Sequence, residues 1–261
     1  MIDLHSHILP GVDDGAPDLE TAIEMAKMAS ADGITICACT PHIQPGVFNN
    51  QPDDIRNRVA LLQAELDKAG VKLQLVAGCD AHLRHDFVTA LRTNKLLTLG
   101  GTRFVLFEPP HHIAPPRMEA LLFDILAADF VPVLTHPERL TWLPSQYDKL
   151  SQLVRSGVWM QITSGSLTGR FGAGPKRLAE RMLADGLVHI LATDAHSLRR
   201  RPPLLREGME AAAAIVGSEE ANRLVLERPR MILDNSRKNV VPMGAIKPVR
   251  RSLVAKIFAS F

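Results

Sequence analysis

Nothing in this sequence supplies the run of about 18 apolar residues that a membrane-spanning helix requires. The apolar stretch 121–134 is broken by Asp124 and Asp129. The first residues lack a basic segment followed by an apolar one, so no cleaved leader is expected. An excess of one charge is missing too. Lys and Arg number 30 against 28 Asp and Glu, a formal net charge of +2, so no nucleic-acid partner is expected. Cysteine is scarce: Cys37, Cys39 and Cys79 are an odd set that makes no even disulfide framework. Cys37 and Cys39 fall in an apolar run and are expected to be buried and reduced, as in a cytoplasmic protein. No Cys is followed six positions later by Arg, which removes the cysteine-based phosphatase signature, and no GxxxxGK phosphate loop occurs. Internal repeats and low-complexity segments are absent as well.

What remains is ordinary globular composition, 46% hydrophobic and 22% charged over 261 residues, enough for one large α/β barrel or two small domains. Apolar runs predict strands at 1–4, 34–39, 71–77, 103–107, 130–134, 158–162 and 188–191. Helical periodicity predicts helices at 18–32, 55–69, 87–92, 117–128, 146–155, 176–184, 203–216 and 218–226. Gly33, Gly70, Gly157 and Gly186 act as stops, and 44–54 is expected to be a loop. In the first helix Leu19, Ile23, Ala26 and Met28 are expected to form the apolar side. Strand and helix alternate without a linker, which predicts a parallel α/β architecture in one domain over 1–235. The segment 236–261 is then a basic C-terminal tail. Its end, KPVRRSLVAKIFASF, has apolar residues at helical spacing, compatible with a terminal helix, a disordered end or a membrane-surface or partner helix.

The chemistry gathers at the strand ends. The chain opens MIDLHSHILPGVDDG, where His5 and His7 are expected to point the same way from the end of a strand. The later strands run into His42, Asp80, Glu108, His136, and Asp194 with His196. Parallel strands that close into a barrel bring such positions to one rim, where active sites sit. Histidine and carboxylate donors without a thiolate cluster suit zinc, manganese or iron. Eight or nine donors exceed what one ion takes, so two or three ions sharing carboxylates are expected. Asp14, Asp80, Glu108 and Asp194 carry four negative charges against six positive on three divalent ions, and the surplus favours an anionic substrate such as a phosphate ester.

The HSH opening, LPGVDDG, TPH, a strand-end Glu, HPER and TDAH together resemble the PHP (polymerase and histidinol phosphatase) superfamily. Within it the chain is most similar to the CpsB/CapC group of bacterial metal-dependent protein-tyrosine phosphatases of capsule and exopolysaccharide loci, over residues 1–205. The resemblance implies a distorted TIM-like (β/α)7 barrel that hydrolyses phosphotyrosine on a tyrosine kinase of polysaccharide assembly, by metal-hydroxide attack on phosphorus. It implies two or three divalent ions, Mn2+ foremost, with Zn2+ or Fe as alternatives. One ion would take His5, His7, Asp80 and Asp194; a second Asp80, Glu108 and His136; a third Asp14, His42 and His196. The group usually carries Glu at the Asp80 position, and Asp is one methylene shorter. Arg139 of HPER and Arg201 match the group's phosphate-holding arginines.

Other residues receive plainer expectations. Asp13 caps its turn. Arg199 and Arg200 are solvated. His82, His85, His111 and His112 are loop or surface histidines, and His189 is a core residue. Ser164 and Ser166 either hydrogen-bond the site or form a turn. Alternative functions that use the same residues are another PHP phosphoesterase acting on histidinol phosphate or DNA, an amidohydrolase-like C–N hydrolase, and a non-catalytic metal-binding regulator. A homo-oligomer is compatible with the sequence.

Overall fold

Short apolar runs bounded by Gly, Pro and polar residues form the strands. They are β1 (Ile2–Ser6), β2 (Ile36–Cys39), β3 (His42–Gln44), β4 (Phe48–Asn49), β5 (Gln74–Ala77), β6 (Asp80–His82), β7 (Phe104–Glu108), β8 (Val131–Thr135), β9 (Trp159–Thr163) and β10 (Ile190–Ala192). The helices are α1 (Leu19–Asp32), α2 (Pro52–Lys68), α3 (Phe87–Arg92), α4 (Met118–Ala127), α5 (Asp148–Ser156), α6 (Ser164–Leu167), α7 (Ala173–Ala184), α8 (Arg206–Val216), α9 (Ser218–Asn222) and α10 (Arg228–Leu233). The structure, a computed structural model, describes residues 1–236. The basic tail from 237 onward, and the helix expected of it, lie outside the described residues.

Strands pair as a three-stranded sheet, β1-β2-β5, and a seven-stranded sheet, β10-β9-β8-β7-β6-β3-β4. Every pairing is parallel except the β3–β4 hairpin. Two chain paths cross from the small sheet to the large one. The first breaks at Thr40-Pro41 between β2 and β3, where proline has no N–H to give the ladder. The second breaks at Gly78-Cys79 between β5 and β6. A Cβ on Gly78 would lie 3.1 Å from both Leu99 Cδ2 and Thr40 Cγ2, so this crossing has little room for a side chain. With each broken path counted once, seven strand positions follow one another around the ring, as expected for a (β/α)7 barrel. The ends of the ring meet without a regular ladder. Ser6 and Ala195 form one bridge, His7 N donates to Ala195 O at 2.8 Å, and Asp194 N donates to His5 O at 2.8 Å.

One apolar cluster, including Leu4, Leu106, Val133 and Ile190, fills the face of the strands that also carries the site. By the two-residue period, the face of β7 and β9 holding Leu106 and Trp159 also holds Glu108 and Gln161. The apolar layer is therefore the floor of the polar pocket. A second, larger cluster packs the helices onto the opposite face, with Met25, Leu62, Leu122 and Met182 fully or nearly fully buried. The pairing of β1 with β2 shifts register between Asp3 and Ser6. This irregularity breaks strict alternation, so Leu4 joins the floor while the next residue, His5, reaches into the pocket.

Several local expectations are corrected. His42 and Asp80 do not follow strand ends; each begins a strand resumed after a break. Residues 44–54 hold half of a hairpin, and α2 begins early because Pro52 suits a first helical turn. α1 is capped as expected, with Thr21 N donating to Asp18 Oδ1 at 2.8 Å and Gly33 at φ 95°. Its buried face, however, is Ala22, Met25, Ala26 and Ala29, while Leu19 is 42% exposed. The row of alanines lets the helix axis approach the sheet closely, which a row of larger residues would prevent.

Candidate metal centre

The donors expected from the strand ends come together in one pocket. His5 Nε2 lies 3.3 Å from Asp80 Oδ2, 3.3 Å from Asp194 Oδ1 and 3.2 Å from His7 Nε2. His7 Nε2 lies 3.4 Å from Asp194 Oδ1. His42 reaches Glu108 Oε2 at 3.3 Å through Nδ1 and Asp14 Oδ1 at 3.5 Å through Nε2. His196 Nε2 stands 3.4 Å from the same Asp14 oxygen. His136 Nε2 stands 3.6 Å from Glu108 Oε1. Donors each about 2.1 Å from a tetrahedral ion stand roughly 3.4 Å apart, so these spacings are those of a ligand shell.

Among the described residues, five overlapping sets of donor atoms have all members within 4.8 Å of one another: His7 with Asp14, His42 and His196; His5 with His7 and Asp80; His5 with His136 and Asp194; Glu108 with His111 and His136; and His42 with Asp80 and Glu108. Buried donors in these sets lack ordinary partners. Among the described residues, both oxygens of Asp80, Nδ1 of His42 and Nε2 of His196 have no hydrogen-bond partner. Such atoms are costly in a protein interior unless a cation satisfies them, so the residues fit divalent metals.

A surrounding shell turns the imidazoles. His5 Nδ1 bonds Gln161 Oε1 at 2.8 Å, His7 Nδ1 bonds Asp13 Oδ2 at 2.7 Å, and His196 Nδ1 bonds the Asp194 carbonyl at 2.9 Å. When each Nδ1 carries the proton, Nε2 presents its lone pair to the pocket. The backbone is also held unusually at two donors, His136 at φ 34° and Asp194 at φ 51°. Non-glycine residues in this region store strain of about 1–3 kcal/mol, a cost typical of functional positions.

The pocket is strongly electronegative. Burial works against a charged His5, yet the Asp194 and Asp80 carboxylates outweigh it and push its pKa up to about 9. Burial likewise opposes charge on His42, but Glu108 and Asp80 push it up to about 10. Burial alone would raise Asp194; the Arg201 guanidinium and His5 hold it well below the carboxylate range. Burial would raise Glu108 too, and the adjacent imidazoles of His111, His42 and His136 bring it well below its ordinary value. His136 and His196 go the other way, pushed down by burial and then by Arg139 and His7 respectively, His196 to about 4.

Arg139 and Arg201 converge at the rim. Arg139 Nη1 bonds Asp194 Oδ2, and Arg201 Nη2 donates to the same oxygen at 2.5 Å. The Arg139 guanidinium lies over the Phe171 ring at 4.4 Å. Arg199 and Arg200 are exposed, while Arg201 is half-buried at the pocket.

The structure separates the remaining candidates. His189 is buried and accepts from Met160 N at 3.0 Å, as a core histidine. Ser166 Oγ donates to Glu138 Oε1 at 2.7 Å and Ser164 Oγ to Leu204 O at 2.5 Å, so both serve the scaffold. His112 is exposed and belongs to none of the donor sets among the described residues. His111 is corrected: it is no bland loop histidine, since its Nε2 lies 3.3 Å from Glu108 Oε1. Asp13 does more than cap a turn, because it also receives His42 N at 3.0 Å. Gln161 went unnoticed in the sequence, although a polar residue inside an apolar strand was a signal.

Comparison with known proteins gives four likenesses. The family described as capsular polysaccharide synthesis, CpsB/CapC, matches residues 1–234. The protein named tyrosine-protein phosphatase YwqE of Bacillus subtilis is 33% identical over 265 aligned positions, covering 100% of both chains. The tyrosine-protein phosphatase CpsB of Streptococcus agalactiae is 30% identical, over 90% of this chain and 99% of its own. A solved structure, described among those of YwqE from Bacillus subtilis and CpsB from Streptococcus pneumoniae as unique metal-dependent tyrosine phosphatases, superposes with a TM-score of 0.87 at 34% identity. That superposition covers 90% of this chain and 95% of the other.

Proposed function

The chain belongs to the CpsB/CapC family, and from that premise we propose that it is a metal-dependent protein-tyrosine phosphatase acting on a tyrosine kinase of capsule or exopolysaccharide assembly. The observation that carries this reading is the set of overlapping histidine–carboxylate donor groups beside two arginines that share one anionic oxygen. His5, His7, Asp80 and Asp194 would hold one ion, Asp80, Glu108 and His136 a second, and Asp14, His42 and His196 a third. Nitrogen and oxygen donors without thiolate suit Mn2+, with Zn2+ and Fe as alternatives. Divalent cations bound there would lower the pKa of a water, orient the phosphoryl group and neutralise developing charge.

The chain's own residues supply recognition. Arg139 and Arg201 already bracket a carboxylate oxygen, and the same guanidinium forks match the non-bridging oxygens of a phosphoryl group. Phe171 beneath Arg139 holds that guanidinium at the rim. A cavity of about 510 Å³ opens next to Arg139, lined by Leu140, Pro144, Leu178, Arg177 and Arg181. Its apolar walls and cationic edge give room for the residues flanking a phosphotyrosine. The leaving phenol has a pKa near 10, so it departs with less protonation than an alkyl alcohol needs.

Initial rates on a phosphotyrosine peptide, histidinol phosphate and single-stranded DNA with Mn2+ test the substrate class. Phosphotyrosine turnover well above the other two supports the reading, and a preference for either of the others contradicts it. His136→Ala and Asp194→Ala should each abolish turnover while the protein stays folded by circular dichroism. Full activity in both would remove the assignment of the site.

A further inference from the structure

We propose that His111 is itself a metal ligand, closing a site with Glu108 and His136 for one divalent cation. This rests on the pocket being a metal centre, as set out above. His111 Nε2 and His136 Nε2 both face the same carboxylate oxygen, Glu108 Oε1, at 3.3 and 3.6 Å. All three donors lie within 4.8 Å of one another. The two rings are tilted by 54° with centroids 5.0 Å apart, so they are not stacked.

Asp80, placed above at the same ion, falls into donor sets with His5 and His7 and with His42 and Glu108. His111 is a further donor there, standing on the Glu108–His136 side.

The loop carrying His111 is built to hold it still. Pro109 and Pro110 precede it and Pro115 and Pro116 follow, limiting backbone freedom. The His111 carbonyl accepts from Thr141 N at 3.0 Å and Thr141 Oγ1 at 3.1 Å, and the Pro110 carbonyl accepts from Trp142 Nε1 at 2.8 Å. Thr141 and Trp142 directly follow the turn that carries His136. The segment presenting His111 is thus stapled to the one presenting His136, the preorganisation a shared ligand site requires. One carboxylate and two imidazoles form a donor set suited to Zn2+ or Mn2+. The His111 side chain is 29% exposed, which leaves the site open to solvent and to exchange.

The test is metal binding by the full chain, stripped with chelator and titrated calorimetrically with Mn2+, with bound metal counted by elemental analysis. Wild type, His111→Ala and His112→Ala are compared. His111→Ala should lose one ion or bind it at least about 10-fold more weakly, while His112→Ala matches wild type. Co2+ loading gives a second readout, since losing an imidazole ligand should change the visible absorption of one bound ion. His111→Asp, which keeps a metal-competent oxygen, should recover the ion. Unchanged stoichiometry, affinity and Co2+ spectrum in His111→Ala would overturn the role of His111 and leave the phosphatase reading standing. A wild-type chain that binds no divalent ion would overturn both.

Discussion

Asp13 and His7 are joined by a 2.7 Å hydrogen bond from His7 Nδ1 to a carboxylate whose side chain is fully buried. The same Asp13 oxygen receives the His42 backbone N–H. Burial would raise this carboxyl, but the His7 bond outweighs it and holds the pKa below its ordinary value. One carboxylate outside the donor sets therefore fixes the tautomer of one candidate donor and the position of another. Asp13→Ala should weaken metal affinity by about 10–100-fold, read by titration of the stripped protein.

Arg139 and Arg201 act as forks, and lysine reproduces their charge without their geometry. Arg139→Lys or Arg201→Lys should lower kcat/KM on a phosphotyrosine peptide by about 10²-fold, with bound metal unchanged. The double variant should fall by less than the product of the two, because both groups grip one anion. Steady-state kinetics with parallel metal analysis decides this.

The donor residues were legible because their chemistry is local: a histidine or carboxylate just past an apolar run announces itself. The alternation of strand and helix was legible for the same reason. The breaks at Pro41 and Gly78 were harder, since a run that pauses for two residues and resumes in another sheet looks like a run that ends. Residues 44–54 looked like a loop because a hairpin strand of two residues carries no periodic signal. Gln161 escaped for a different reason. Its role depends on which side chain stands opposite, and a contact over such a sequence distance, 156 residues from His5, leaves no trace in spacing. His111 stands only three residues from Glu108, but a histidine in a proline-rich loop carries no strand or helix period to mark its direction.

Gly15 closes the Asp13-Asp14-Gly15 turn against His7. A Cβ there would lie 2.0 Å from the His7 carbonyl oxygen and 2.6 Å from His7 Cβ. Both belong to the buried segment just past β1 and cannot swing aside. Gly15→Ala should destabilise the fold by about 1–3 kcal/mol and displace His7. The expected outcome is a lower urea midpoint together with weakened metal binding.

His189 gives the stability a pH dependence of known sign. Burial, then the charge of Arg228, pushes its pKa down to about 3, against about 6.5 in an unfolded chain. Above pH 6.5 neither state holds the proton and the group is silent. As pH falls below 6.5 the unfolded chain gains a proton that the native state refuses, and stability drops until about pH 3. At pH 5.5 the loss is about 1 kcal/mol. His189→Gln should remove that part of the acid slope, seen as the difference between variant and wild type in urea unfolding at pH 7.5 and 5.5.

The central claim is that divalent metal held by this pocket carries out phosphotyrosine hydrolysis. It is tested most directly by one measurement: the rate of phosphate release from a phosphotyrosine peptide as chelator-stripped protein is titrated with Mn2+. Turnover should be lost on stripping and return in step with metal bound per chain, while stripped Asp194→Ala stays inactive at every Mn2+ concentration. Turnover that is the same with and without bound metal would contradict it.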